Sequence, residues 1–125
     1  MIGETIVTML QANAGLMALV PADRIFPYIA DEKTPLPLII YAIESIVPLY
    51  TKDEWMEDDC TFSVTSACND YMTLQKIVKQ IRVALECKRD STTSRIVVTG
   101  QVEGYDLYEN TYKNILKFNT GVNIL

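Results

Sequence analysis

The stretch CTFSVTSACNDYMTLQKIVKQIRVALE, residues 60–86, decides the fold of this chain. Its first part alternates apolar and polar side chains, with Phe62 and Val64 on one side, which is the period-two pattern of a half-buried strand. After the break at Asn69-Asp70, apolar residues recur at spacings of three and four, the period of an amphipathic helix. These residues are Tyr71, Leu74, Ile77, Val78, Ile81 and Leu85. The stretch therefore predicts one strand and one helix that share a core.

A second strand is predicted upstream. Residues 38–43 form a nearly continuous β-branched and aromatic run, typical of a strand buried on both faces. We expect Pro48 to end this strand, because proline has no amide hydrogen for a central ladder. Residues 49–59 have no usable period and are interpreted as a long acidic loop, with a hairpin arm as the alternative. Its carboxylates are Asp53, Glu54, Glu57, Asp58 and Asp59.

The two ends of the chain complete the pattern. An apolar stripe over residues 2–10 predicts a first helix, and residues 25–29 are expected to be extended. Residues 96–108, with a bulge or bend at Gly104, and residues 112–124 predict a closing hairpin. The order favours a single α+β domain, residues 1–125, with an about four-stranded, mostly antiparallel sheet and helices on one face. A crossover between parallel strands through the helix after residue 70 is the open alternative.

Composition narrows the class of protein. A chain of 125 residues can bury a core without disulfides. Its three cysteines, Cys60, Cys68 and Cys87, form no CxxC pair, and an odd number cannot all pair as disulfides within the chain. We therefore expect a protein of a reducing compartment whose cysteines are buried and act as small apolar fillers of the core. The net charge of −5 argues against sequence-specific or general nucleic-acid binding. No apolar run approaches the length of a membrane helix, so we expect no membrane association. We expect the protein to be synthesised in a cytoplasm.

The sequence contains no histidine, which removes the usual general base, triad partner and zinc ligand. Cys68, just before the second helix, is the one position where a thiolate could be activated, and no base accompanies it. Gly100 and Gly104 lack the Lys and Ser/Thr of a phosphate loop, and the acidic residues lack the alternation of a calcium loop. We therefore expect no enzyme, no catalytic residue, no cofactor and no metal.

Aromatic and methionine side chains suggest a contact surface instead. Such residues are enriched at protein interfaces, although cross-strand packing is the alternative for the tyrosines. The interface candidates are Trp55, Met56, Tyr105, Tyr108 and Tyr112. Trp55 and Met56 stand among carboxylates, where an interface is favoured over a core.

The whole pattern resembles the tail-completion proteins of long-tailed bacteriophages and prophages. The resemblance is carried by the first helix, the turn LVPADRIF at residues 19–26, the proline-led strand at residues 35–41, and the helix around Ile77 and Leu85. The closing hairpin through Leu116-Lys117-Phe118 fits as well. These are apolar positions and turns without a catalytic motif, and the acidic stretch 49–59 has no counterpart in the family pattern.

The resemblance implies a structural, non-enzymatic subunit of the virion tail, made in the bacterial host cytoplasm. Such a tail terminator or head-tail joining protein would form a ring, expected to be a hexamer, that completes the tail tube or joins it to the head. Its partners would be copies of itself, the tail tube protein and head connector proteins. Two other classes stay open: a small non-catalytic ligand-binding or regulatory domain, and an enzyme that depends on Cys68.

Overall fold

The computed structural model describes residues 2–30, 35–51, 54–86, 88, 93, 95–107 and 110–123. These residues form a five-stranded sheet in the order β1-β2-β3-β5-β4, in which β1 and β2 are parallel and all other neighbours are antiparallel. The helices are α1 (Ile2–Gln11), α2 (Ala14–Met17) and α3 (Tyr71–Leu85), and a 3-10 turn covers Ala22–Arg24. The strands are β1 (Ile25–Pro27), β2 (Leu38–Thr51), β3 (Glu54–Cys68), β4 (Val97–Asp106) and β5 (Thr111–Asn123).

The predicted α+β class is confirmed, and the predicted strand number is one too low. The additional strand is β1, whose residues pair with residues 39–41 of β2. Three residues are too few to show a period, so the sequence indicates only an extended segment there. The α3 connection joins β3 to β4, which run in the same direction with β5 between them. The alternative of a crossover between parallel strands is therefore correct in that α3 joins two strands of the same direction. These two strands do not pair with each other, and each of them pairs only antiparallel with its neighbours.

The core lies between α3 and the centre of the sheet, as the sequence predicts. Leu74, Ile77, Ile81 and Leu85 are buried, and each such side chain contributes roughly 1.5 to 3 kcal/mol through removal from water. They share one cluster with residues of β3 and β5 and with α1 and α2. The sheet residues are Phe62, Val64, Leu116 and Phe118, and the residues from the first two helices are Ile2, Ile6, Leu10 and Leu16.

Polar side chains fix the starts of two helices. Asp70 caps α3, because its carboxylate accepts hydrogen bonds from the Thr73 amide at 3.2 Å and the Thr73 hydroxyl at 2.6 Å. Asn13 caps α2 in the same way, accepting from the Leu16 amide at 2.9 Å. Both residues are N-caps, and each stabilises the start of the helix that follows.

The strand β2 continues past the predicted end at Pro48. Pro48 pairs with Asp58 of β3, and beyond Tyr41 no strand among the described residues pairs with the other side of β2. Proline is tolerated at such an edge because its missing amide hydrogen need not face a neighbour. The predicted burial on both faces holds only at the start of the strand, where Leu38 and Ile39 are buried. Residues 40–43 are half-buried, since the helices cover one face of the sheet.

The bulge in β4 does not lie at Gly104. The register shift falls between Val98 and Gly100, so Thr99 is the extra residue, whereas Gly104 pairs regularly with Lys113. Gly100, and not Gly104, therefore flanks the irregular position of this strand.

Candidate assembly surfaces

The predicted acidic loop is a β-arm. Residues 49–51 belong to β2 and residues 54–59 to β3, and the two strands stay paired from Leu38↔Ala67 to Thr51↔Glu54. The alternative interpretation of a hairpin arm is thus correct. The lack of a period has a physical cause, because the register shifts between Leu49 and Tyr50 and the alternation restarts there.

The carboxylates of the arm occupy strand positions. Glu57, Asp58 and Asp59 lie on β3 between β2 and β5 and are half-buried. Asp59 accepts a hydrogen bond from the Asn119 amide at 2.9 Å, across the β3–β5 pair. Glu54 begins β3, and Asp53 lies outside the described residues. The acids are therefore built into the sheet, and like charges on adjacent strand positions are held close together.

The arm also presents apolar side chains that the sequence did not single out. Four large apolar residues of β2 are exposed, and Tyr50 is 67% exposed. They are Ile46, Val47, Leu49 and Tyr50. Alternate residues of a strand point to opposite faces, so Ile46 and Val47 place apolar surface on both faces of the arm. Trp55 and Met56 extend the adjacent strand β3, and their side chains lie outside the described part.

A tyrosine cluster lies near the opposite edge of the sheet, where β4 is the last strand. The ring of Tyr112 on β5 is 4.6 Å from that of Tyr105 on β4 and 5.4 Å from that of Tyr71 on α3, measured between centroids. Tyr71 and Tyr105 are exposed, and Tyr112 is half-buried between them. The structure thus joins two of the predicted interface tyrosines and adds Tyr71, which the helical period had placed in the core stripe. Tyr108 lies outside the described residues.

Glu103 of β4 ties this cluster to α3. Its carboxylate accepts hydrogen bonds from Gln75 at 2.8 Å, from the buried amide of Asn114 at 3.1 Å and from the Tyr71 hydroxyl at 3.2 Å. The bond from Gln75, supported by those from the other donors, lowers the pKa of Glu103. The bond to Glu103 and then its negative charge raise the pKa of Tyr71. The tyrosine surface is therefore anchored by a carboxylate that stays ionised.

The two cysteines in the described part of the chain lie in the protein interior. Cys60 and Cys68 are buried free thiols. Burial, and then the charges of Asp59 and Asp58, raise the pKa of Cys60 to about 11. A thiol with that pKa is protonated at neutral pH and is a poor nucleophile. The prediction of buried fillers is confirmed for these two, and Cys87 lies outside the described residues.

The surface depressions of the described residues are shallow and polar or amphipathic. One of about 540 Å³ follows the outer side of α3, lined by residues including Gln75, Lys79 and Arg82. Another of about 500 Å³ lies over β4 and β5 and includes Val102 and Ile115. Across the described ranges, no three His, Cys, Asp or Glu side chains are grouped to hold a metal ion. No helix within those ranges is long and apolar enough to cross a membrane.

Comparison with known proteins places this fold. A chain in the virion of a native gene transfer agent (GTA) particle superposes with a TM-score of 0.79, covering 95% of this chain and 92% of that chain at 13% sequence identity. A search of curated protein sequences gives no match. The model of the family described as "Tail completion protein gp17" matches residues 4–123. This match spans both the arm and the tyrosine cluster, and the chain belongs to the tail completion protein gp17 family.

Proposed function

We propose that this structural tail protein works as a ring of identical subunits, expected to be a hexamer, that completes the tail tube or joins it to the head connector. Its partners are neighbouring copies, the tail tube protein and head connector proteins. Family membership supports a place in the tail, and the similar fold of a chain in a gene transfer agent virion agrees with it. The role is non-enzymatic: function resides in surfaces, as the absence of histidine and the protonated Cys60 thiol favour.

The observation that carries the ring is the presence of two different exposed surfaces on opposite sides of one sheet. The apolar arm extends from the β2–β3 side, and the tyrosine cluster lies at the β4 edge. A closed cyclic ring needs a heterologous contact, in which each subunit presents one surface to each neighbour. A single self-complementary patch would give a dimer instead. The two surfaces therefore suit a ring better than a dimer.

Trp55 and Met56 are proposed to dock on the neighbouring subunit. They lie on β3 next to the exposed apolar residues of β2, with Tyr50 paired to Trp55. Aromatic and methionine side chains supply large contact areas and are enriched at the centres of interfaces. We also assign Tyr105, Tyr112 and the neighbouring Tyr71 to the β4 side of the subunit that receives its neighbour, apart from the arm tip. Tyr108 is kept in this group by its position in the sequence.

The acidic residues of the arm have one of two roles, which differ in their response to salt. If some of the acids Asp53, Glu54, Glu57, Asp58 and Asp59 face the channel, they repel DNA and keep it from adhering. If they face a basic partner, they attract it, and assembly weakens as salt screens the attraction. Assembly that tolerates or improves with salt supports the channel position.

The test is capture by isolated tail tubes. The double variant Trp55→Ala, Met56→Ala is mixed with tubes and pelleted, beside the parent and a Val83→Ala control on the exposed side of α3. We expect the control to cap tubes like the parent and the double variant to be left in the supernatant, with circular dichroism showing that all three fold. Equal capping by the folded double variant would show that the arm tip is not the interface.

A further inference from the structure

We propose that the subunits join edge to edge, with residues 42–47 of β2 in one copy pairing antiparallel with β4 of the next copy, so that one sheet continues around the ring. This inference rests on the proposed ring and specifies how it is closed. The partner is a second copy of this chain.

The first support is that both strand edges are open in the described part of the chain. The short strand β1 covers only residues 39–41 of β2, and β4 is the last strand on the other side. Sheet edges are usually blunted by lysine, proline or a covering element, because their free amides and carbonyls pair with other chains. The ten residues of β4 contain neither lysine nor proline, and neither do residues 42–47 of β2; Pro48, which cannot donate to a ladder, lies beyond them. Both edges are thus suited to pairing.

The second support is the direction of the strands. Antiparallel pairing alternates from β2 through β3 and β5 to β4, so β2 and β4 of one subunit run in opposite directions. When identical sheets are placed side by side in the same orientation, β4 of one copy therefore lies antiparallel to β2 of the next. The contact is heterologous, as ring closure requires.

The third support is the offset between the two edges. The register places Val102 of β4 level with Ile40 of β2, through Ile115 and Thr65. The middle of the segment 42–47, near Ser45, lies four register positions further along, which is roughly 14 Å at the usual strand rise. Four strands occupy roughly 19 Å across the sheet. Pairing these edges in a closed ring then tilts the strands by about 36°, within the range of about 35–45° found in closed sheets.

Charge supports a second copy as the occupant of this edge. Gly100 pairs with Lys117 and Gly104 with Lys113, so the face beside β4 carries two lysines next to positions without side chains. Lys113 lies 3.9 Å from Asp106, and its side chain is 44% exposed. Inward from the free edge of β2, the adjacent strand β3 carries the carboxylates of Glu57 and Asp59. They lie on the same face of the sheet as the two lysines. In the paired ring the lysines reach across the glycines toward the acids of the neighbour.

The experiment that tests this pairing locates the contact directly. Val47→Cys and Val102→Cys are combined with Cys87→Ser, and rings on tail tubes are treated with a short bismaleimide. We expect a ladder of covalent multimers of this chain that ends at the full ring, and no ladder for the control pair Val83→Cys, Val102→Cys. Rings that form without the ladder, or cross-links to the tube protein alone, overturn the edge pairing and leave the proposed function standing. Failure of the parent to form rings would refute the proposed function itself.

Discussion

Phe62 of β3 and Phe118 of β5 stack in the centre of the core, with ring centroids 5.1 Å apart and ring planes 15° apart. Both are fully buried, and their residues are direct partners in the β3–β5 ladder. The pair links the stretch 60–86 to the C-terminal hairpin, and the strands that carry the arm and two of the clustered tyrosines belong to one sheet. Stability and assembly can therefore be tested separately.

Truncation of large side chains on the buried face of α3 should lower the stability of the protein. Leu74→Ala or Leu85→Ala should lower the free energy of unfolding by roughly 2 to 5 kcal/mol, because each leaves a cavity against the sheet. Urea unfolding measures this, with the exposed Val83→Ala as control. Losses below about 0.5 kcal/mol at both sites would mean that this helix face is not the core.

Removal of the Asp70 cap should make the stability of the protein depend less on pH in the acidic range. The hydrogen bonds from Thr73 lower the pKa of Asp70, so its contribution is present above the unfolded pKa of about 3.9 and is lost as pH falls through the folded pKa. Asp70→Ala should therefore melt below the parent at pH 7, with the difference shrinking toward pH 3. Asp70→Asn keeps an acceptor and should lie between them at pH 7. A constant difference across this range would exclude the capping carboxylate as its source.

Neutralising Glu103 should change the titration of Tyr71. Because the bond to Glu103 and its charge raise the pKa of Tyr71, Glu103→Gln should bring that pKa back toward the ordinary value of about 10. Amide hydrogens of β4 should also exchange faster, since Gln75 and Asn114 lose a charged acceptor. Nuclear magnetic resonance of the tyrosine ring carbons reports the first effect, and Glu57→Gln on the arm should produce neither. An unchanged Tyr71 titration would contradict the hydrogen bond.

The cysteines should be dispensable. Cys60→Ala and Cys68→Ser should each fold and complement a phage that lacks this gene, and Cys87 is expected to behave in the same way. At pH 7.5 the parent's Cys60 should resist alkylation until urea unfolds the chain, because the pKa of its thiol is about 11. Mass spectrometry after alkylation measures this. A folded Cys68→Ser protein that fails to complement would favour the enzyme alternative.

Much of the fold follows from regular periods in the sequence. The three- and four-residue spacing from Leu74 to Leu85 correctly predicts α3 and its buried face, and alternation around Phe62 predicts the centre of β3. The family resemblance is confirmed by the match over residues 4–123. These predictions succeed because the core side chains obey one period from start to end of each element.

The arm could be predicted only in outline, because its register is irregular. Glu44 and Tyr50 stand at register shifts that reverse the alternation, and Pro48 is acceptable only because an edge of β2 is open among the described residues. Tyr71 fits the helical stripe in sequence and yet lies at its exposed end, beside Tyr112 of a distant strand. Contacts between elements far apart in the chain decide such positions. The roles of the arm residues and tyrosines as an interface stay predictions for experiment.

Electron cryomicroscopy of tail tubes incubated with this protein tests the central claim most directly. We expect a closed ring of copies at one end of each tube, with the arm of each subunit against its neighbour. Single copies scattered along the tube, or tube ends without density for this chain in the presence of excess folded protein, would contradict the ring.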